Sequence, residues 1–184
     1  MIWLVWLLAQ AAVPAPAPPV APAAPWTPVE HINTAAGTRS ISAAAVAPSG
    51  VGRLVVRCDH APSPVVSVQF IPREAYRGFG VQPVSLQVDG GTALIDNWEL
   101  LGAGAVEREE RATTTLTMAI AHARQIHLRT VDRAGTPIDV SLQGPPSDLP
   151  IRRVLEACGH VLGEVPPPAT PIVPAPAPAA RGGA

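Results

Sequence analysis

Proline decides where this chain can fold. Of its 23 prolines, seven fall between Pro14 and Pro28 and seven between Pro166 and Pro178, which leaves nine for the residues between. Both clusters alternate with alanine, as Pro14-Ala15-Pro16-Ala17-Pro18-Pro19 at one end and Pro174-Ala175-Pro176-Ala177-Pro178 at the other. Proline fixes φ and lacks a backbone N–H, so such runs favour extended polyproline II and cannot build helix or sheet. Alanine gives them little surface to bury. They read as semi-rigid spacers: a Pro/Ala-rich linker over residues 12–28 and a disordered Pro/Ala-rich tail over 166–184. A β-rich globular domain is expected between them, over residues 29–165. The alternative, a docking ligand for a proline-reading partner, has only Arg181 near the runs to support it.

Composition narrows the class of function. The 184 residues carry 13 basic and 14 acidic side chains, a net charge of −1, and every basic residue is arginine. That balance excludes a nucleic-acid binder, which needs a basic stripe to neutralise phosphates. The first residues, Met1-Ile2-Trp3-Leu4-Val5-Trp6-Leu7-Leu8, form an apolar run followed by Ala9-Gln10-Ala11. Small residues at 9 and 11 suit the −3 and −1 positions of a signal peptidase site. As a helix, the run covers about 12 Å of a bilayer core roughly 30 Å thick, too little to span it. Residues 1–11 therefore read as a signal peptide, with a short uncleaved anchor as the alternative. The expected location is periplasmic or secreted, with no transmembrane span after signal cleavage. No cysteine follows the run, which excludes a lipoprotein signal.

Within residues 29–165, alternation with a period of two predominates. Leu54, Val56 and Cys58 share one face of a strand, and Val55 and Arg57 the other. Val66, Val68 and Phe70 repeat the pattern, as do Val84, Leu86 and Val88. Asp89-Gly90-Gly91 reads as a hairpin turn, with a return strand from Ala93 to Trp98. Ile126, Leu128 and Thr130, then Ile138, Val140 and Leu142, form a second hairpin about Asp132-Arg133-Ala134-Gly135. A weaker strand covers Arg39 to Val46. Trp98 is expected to plug the core, a ligand platform being the alternative.

Two segments carry the helical period. Leu116, Ala119, Ile120 and Ala123 follow Thr113-Thr114-Thr115 as capping candidates. Ile151, Val154, Leu155 and Cys158 repeat the spacing, with Ser147 or Asp148 as cap, Pro150 in the first turn and Gly159 at the end. The expected fold is mainly β with two short helices (α+β), an antiparallel sandwich-like sheet with a C-terminal helix.

Cys58 and Cys158 are the only cysteines and stand 100 positions apart. In an oxidising compartment they are expected to pair, stapling the last helix to the sheet. The alternative is a metal site, because Cys58-Asp59-His60 and Cys158-Gly159-His160 would bring Cys58, His60, Cys158 and His160 together as a Cys₂His₂ set for zinc or copper. His31, His122 and His127 need no special role. No Gly-x-Ser-x-Gly, phosphate loop, His-Glu-x-x-His or Cys-x-x-Cys occurs, and Asp89 and Asp96 flank a hairpin, where aspartate serves the backbone. Glu107-Arg108-Glu109-Glu110-Arg111 reads as a solvated run before a helix. No catalytic residue and no cofactor are expected.

The order of features has a parallel. Leu54-Val55-Val56-Arg57-Cys58, the strand running to Asp89, Trp98, Ile126-His127-Leu128-Arg129-Thr130-Val131 and Val154-Leu155-Glu156-Ala157-Cys158-Gly159-His160 together resemble the small exported proteins of the VasI/TagO type, associated with type VI secretion loci. The likeness extends more distantly to invasion-associated locus B proteins and covers about residues 50–160. It implies a periplasmic β-rich domain with one disulfide, an accessory rather than catalytic role, and a protein partner in the bacterial envelope.

Overall fold

The computed structural model describes residues 25–60, 63–76 and 78–167. Nine strands form one antiparallel sheet: β1 (Val29–Asn33), β2 (Thr38–Val46), β3 (Gly52–Asp59), β4 (Val65–Pro72), β5 (Val81–Val88), β6 (Leu94–Leu101), β7 (Gly104–Glu107), β8 (Gln125–Val131) and β9 (Pro137–Gln143). Helix α1 (Glu110–His122) lies between β7 and β8, and α2 (Leu149–Ala157) follows β9. The strand order is β1-β2-β3-β4-β7-β6-β5-β8-β9. The chain thus leaves β4, builds the β5–β6–β7 meander backwards onto it, and after α1 adds β8 and β9 to the far side of β5.

The alternating residues face one interior. Leu54, Val56, Cys58, Val68 and Phe70 are fully buried, and Val84, Leu86, Trp98, Ile126, Leu128, Val140 and Leu142 join them in a single core. Register places Cys58 opposite Val66 and Ile41, and Leu54 opposite Phe70 and Ala45, so small alanines of β2 meet large residues further along the sheet. Trp98 is a core residue, 1% exposed. The expected mainly β fold with two helices and a stapled C-terminal helix is what the chain adopts, as one curled sheet.

Curling brings the two ends of the sheet near each other, and a residue assigned to the linker fills the join. Trp26 is fully buried. Its backbone N–H donates to the Ala44 carbonyl of β2 at 2.6 Å, and its indole N–H donates to the Gln143 carbonyl of β9 at 2.8 Å. Trp26 takes φ of 61°, an unusual value for a residue with a side chain. The folded part therefore begins before residue 29. The signal peptide expected over 1–11 and most of both Pro/Ala-rich segments lie outside the described residues.

Two strands have no counterpart in the alternation. All five residues of β1 are exposed, and all four of β7 are buried, so neither shows a period of two. The β6 strand runs on past Trp98 to Leu101. In α1 the threonines are not caps. The Glu109 carboxylate accepts from the Arg111 and Ala112 N–H groups and starts the helix a turn earlier, which leaves Thr113, Thr114 and Thr115 inside it. At α2, Asp148 holds the cap position, but its carboxylate pairs with Arg152 rather than with the backbone. The far end closes as a Schellman turn: Gly159, at φ of 74°, donates to Glu156, and His160 donates to Leu155.

Trp26→Ala removes a fully buried indole and its hydrogen bond to the Gln143 carbonyl. It is expected to cost about 3–5 kcal/mol of stability, measurable by chemical denaturation of the oxidised protein.

Candidate functional site

The two Cys-x-His segments meet. Cys58, near the end of β3, and Cys158, the last residue of the α2 turn, form a disulfide with S–S 2.07 Å and Cα–Cα 5.8 Å. Both are buried, at 0% and 7% exposure. This placement follows from local sequence. The β3 alternation turns Cys58 inward, and the 3–4 spacing of α2 puts Cys158 on the stripe of Ile151, Val154 and Leu155. Contacts of α2 with β2 and β3 carry the helix against that half of the sheet.

The alternative metal set is not assembled. Both sulfurs of the proposed Cys58, His60, Cys158 and His160 group are committed to the disulfide, so neither offers a thiolate. His60 does approach, with Nε2 3.7 Å from the Cys58 sulfur, while His160 faces a cleft beside α1. Among the described residues, no group of three His, Cys, Asp or Glu side chains is placed to hold a metal ion.

The acidic residues near the turns have structural partners. Asp89 and Gly90 take φ of 49° and 72°, the backbone of a tight hairpin turn. The Asp89 carboxylate accepts from Gln125 N–H at 2.8 Å and Arg124 N–H at 3.0 Å, tying the β5–β6 turn to the α1–β8 turn. Those bonds hold its carboxyl below the ordinary range. Asp96 is exposed and accepts from its neighbour Asn97.

The run from Glu107 to Arg111 departs from the solvated reading at its first residue. Glu107 ends β7 and is 7% exposed, and its carboxylate accepts from Glu109 N–H at 2.8 Å. Burial pushes its carboxyl up, and the charges of Asp96 and Glu109 add to the effect. No feature of the sequence marks it, since the run is charged throughout and β7 is only four residues long. Arg108, next along, pairs with Glu99 of β6 at 2.6 Å.

No protein-family model, curated protein or solved structure matches the chain. The VasI/TagO resemblance therefore rests on the residues quoted for it.

A raised carboxylate pKa in the fold means that the folded state holds the Glu107 proton more tightly than the unfolded state does. Its contribution favours folding at low pH and is lost as pH rises through the folded-state pKa. Glu107→Gln keeps the acceptor for Glu109 N–H and removes the buried charge. Thermal melts are expected to show the variant melting higher than the parent at pH 7, with the gap closing as the pH falls into the carboxylate range.

Proposed function

We propose that this chain is a non-enzymatic exported protein of the bacterial envelope, its folded domain serving as an interaction or accessory module like the VasI/TagO-type proteins it resembles. The observation that carries this reading is the Cys58–Cys158 bond. Glutathione and thioredoxin keep cytosolic thiols reduced, whereas exported chains meet an oxidising space. Here the only two cysteines, far apart in sequence, pair within the core and join the end of a nine-residue helix to the sheet. The apolar leader and its Ala9-Gln10-Ala11 site point the same way.

An interaction role draws support from one exposed side chain. Phe79 is fully exposed, between Gly78 and Gly80, while Trp26, Phe70, Tyr76 and Trp98 are each at most 3% exposed. Val81 and Leu101, at 60% and 54% exposure, extend the apolar surface on neighbouring strands β5 and β6. Aromatic side chains presented in this way recur as anchors of protein interfaces. Among the described residues, no helix is long and apolar enough to cross a membrane. The partner we propose is a protein of the envelope.

Cell fractionation followed by intact mass with and without a thiol-blocking reagent tests the reading. The expected result is protein in the periplasm or medium, shortened after Ala11, two hydrogens lighter than the dithiol and unreactive toward the reagent. Protein left in the cytosol with Met1 in place and two alkylated cysteines would refute it.

A further inference from the structure

The two sulfurs of the Cys58–Cys158 bond have unlike surroundings. Cys58 is 0% exposed, on a strand paired with β2 on one side and β4 on the other. Cys158 keeps 7% of its surface at the end of α2, and residues 160–167 after it form neither helix nor strand. Fraying of the last turn of α2 bares Cys158 and leaves the sheet whole. Baring Cys58 requires the helix, with its buried Ile151, Val154 and Leu155, to leave β2 and β3. Opening at an irregular segment costs less than opening of a packed element.

Charge separates the sulfurs further. The imidazole Nε2 of His60 stands 3.7 Å from the Cys58 sulfur. The two residues are two apart at the end of β3 and share a face. The His60 backbone N–H donates to the Arg39 carbonyl at 3.0 Å, which fixes the residue beside β2. An N–H at Nε2 in that place stabilises negative charge on Cys58. The charged residues between and beside them, Arg57 and Asp59, pair with each other at 2.6 Å, and Arg39 pairs with Glu30. Cys158 meets the reverse. It caps the C-terminal end of α2, where the helix dipole is negative. Its sulfur also lies 3.9 Å from the Asp59 carbonyl oxygen. Both oppose charge on Cys158.

We propose that this disulfide is a directional exchange site for a small thiol, with Cys158 the sulfur attacked and Cys58 the sulfur that leaves. The incoming thiolate forms an S–S bond to Cys158 as the Cys58–Cys158 bond breaks. The electron pair of the broken bond goes to the Cys58 sulfur, where the His60 N–H meets it. A second thiol then displaces the first from Cys158. Two thiols are oxidised to one disulfide, and their two hydrogens end on Cys58 and Cys158. Access and the leaving sulfur's capacity for charge set the rate of such exchange, and here both select the same direction. The reactant is small because so little of Cys158 is open. Exchange frees the end of α2, so the thiol content of the surroundings sets whether the helix is stapled. The site does not depend on export or on the accessory role. His60 acts as a positioning residue for the leaving sulfur.

The test is exchange of the oxidised protein with glutathione, quenched with acid at early times, alkylated, digested and mapped by mass spectrometry. The expected adduct carries glutathione on Cys158 and the alkyl group on Cys58, and its rate of formation is flat in denaturant below the unfolding range. His60→Leu removes the donor and is expected to slow exchange roughly three- to tenfold, the loss of a hydrogen bond to a partly charged sulfur. His60→Gln retains an N–H donor and is expected to keep most of the rate. A purely structural histidine predicts the opposite sign, since a loosened fold exchanges faster. Glutathione on Cys58, or on both cysteines equally, would overturn the proposal. So would exchange that appears only as the protein unfolds, or a His60→Leu rate equal to or above the parent's.

Discussion

Helix α2 stays on the sheet because a covalent bond holds its end there. It has nine residues, and only Ile151, Val154 and Leu155 of them are buried. Helices that short are marginal in water without tertiary support. The Cys58–Cys158 bond joins its last turn to a central position of the sheet, between β2 and β4. In the chain-entropy view, closing a loop of about 100 residues is worth about 4–5 kcal/mol, a large share of what a domain of this size has in total. Everything placed by α2 rests on that bond. The Schellman turn that follows sets His160 in a cleft beside α1.

The second closure is noncovalent. A sheet of nine strands leaves two edges, and unpaired edges invite association. Curling brings β2 and β9 near each other, and Trp26 bonds to a carbonyl of each. Its indole adds bulk to a core otherwise built from valine, leucine, isoleucine and alanine, with few aromatics. The two closures act on opposite ends of the folded chain, one on the segment before β1 and the other on the last helix.

How much of this was legible followed from the physics of each element. The strands with one buried face, β3, β4, β5, β8 and β9, announce themselves by alternation, because the period of a pleated strand is two. Helix α2 and its glycine end were equally plain. Strand β1 was not, since an exposed edge strand needs no apolar face, and β7 was not, since a four-residue strand buried on both sides has no alternation to show. Trp26 was hidden by its surroundings: six of the seven clustered prolines precede or adjoin it, and local composition says spacer. The α1 cap was misassigned to threonine because capping is decided by which side chain reaches the free N–H groups, and Glu109 reaches them first. Of the candidate site, the pairing of Cys58 with Cys158 was readable. The burial of Glu107 depends on contacts between distant elements and leaves no local trace.

The bond between Cys58 and Cys158 is most directly tested by equilibrium denaturation of the oxidised protein beside the same protein held reduced, with a Cys58→Ala, Cys158→Ala double variant as a control that cannot re-form the bond. If the bond is the staple described, reduction lowers the unfolding free energy by about 4–5 kcal/mol, and the amides of α2 lose their hydrogen-exchange protection. A loss below about 1 kcal/mol, small against typical disulfide contributions, with α2 still protected, would show that packing alone holds the helix and would contradict the account.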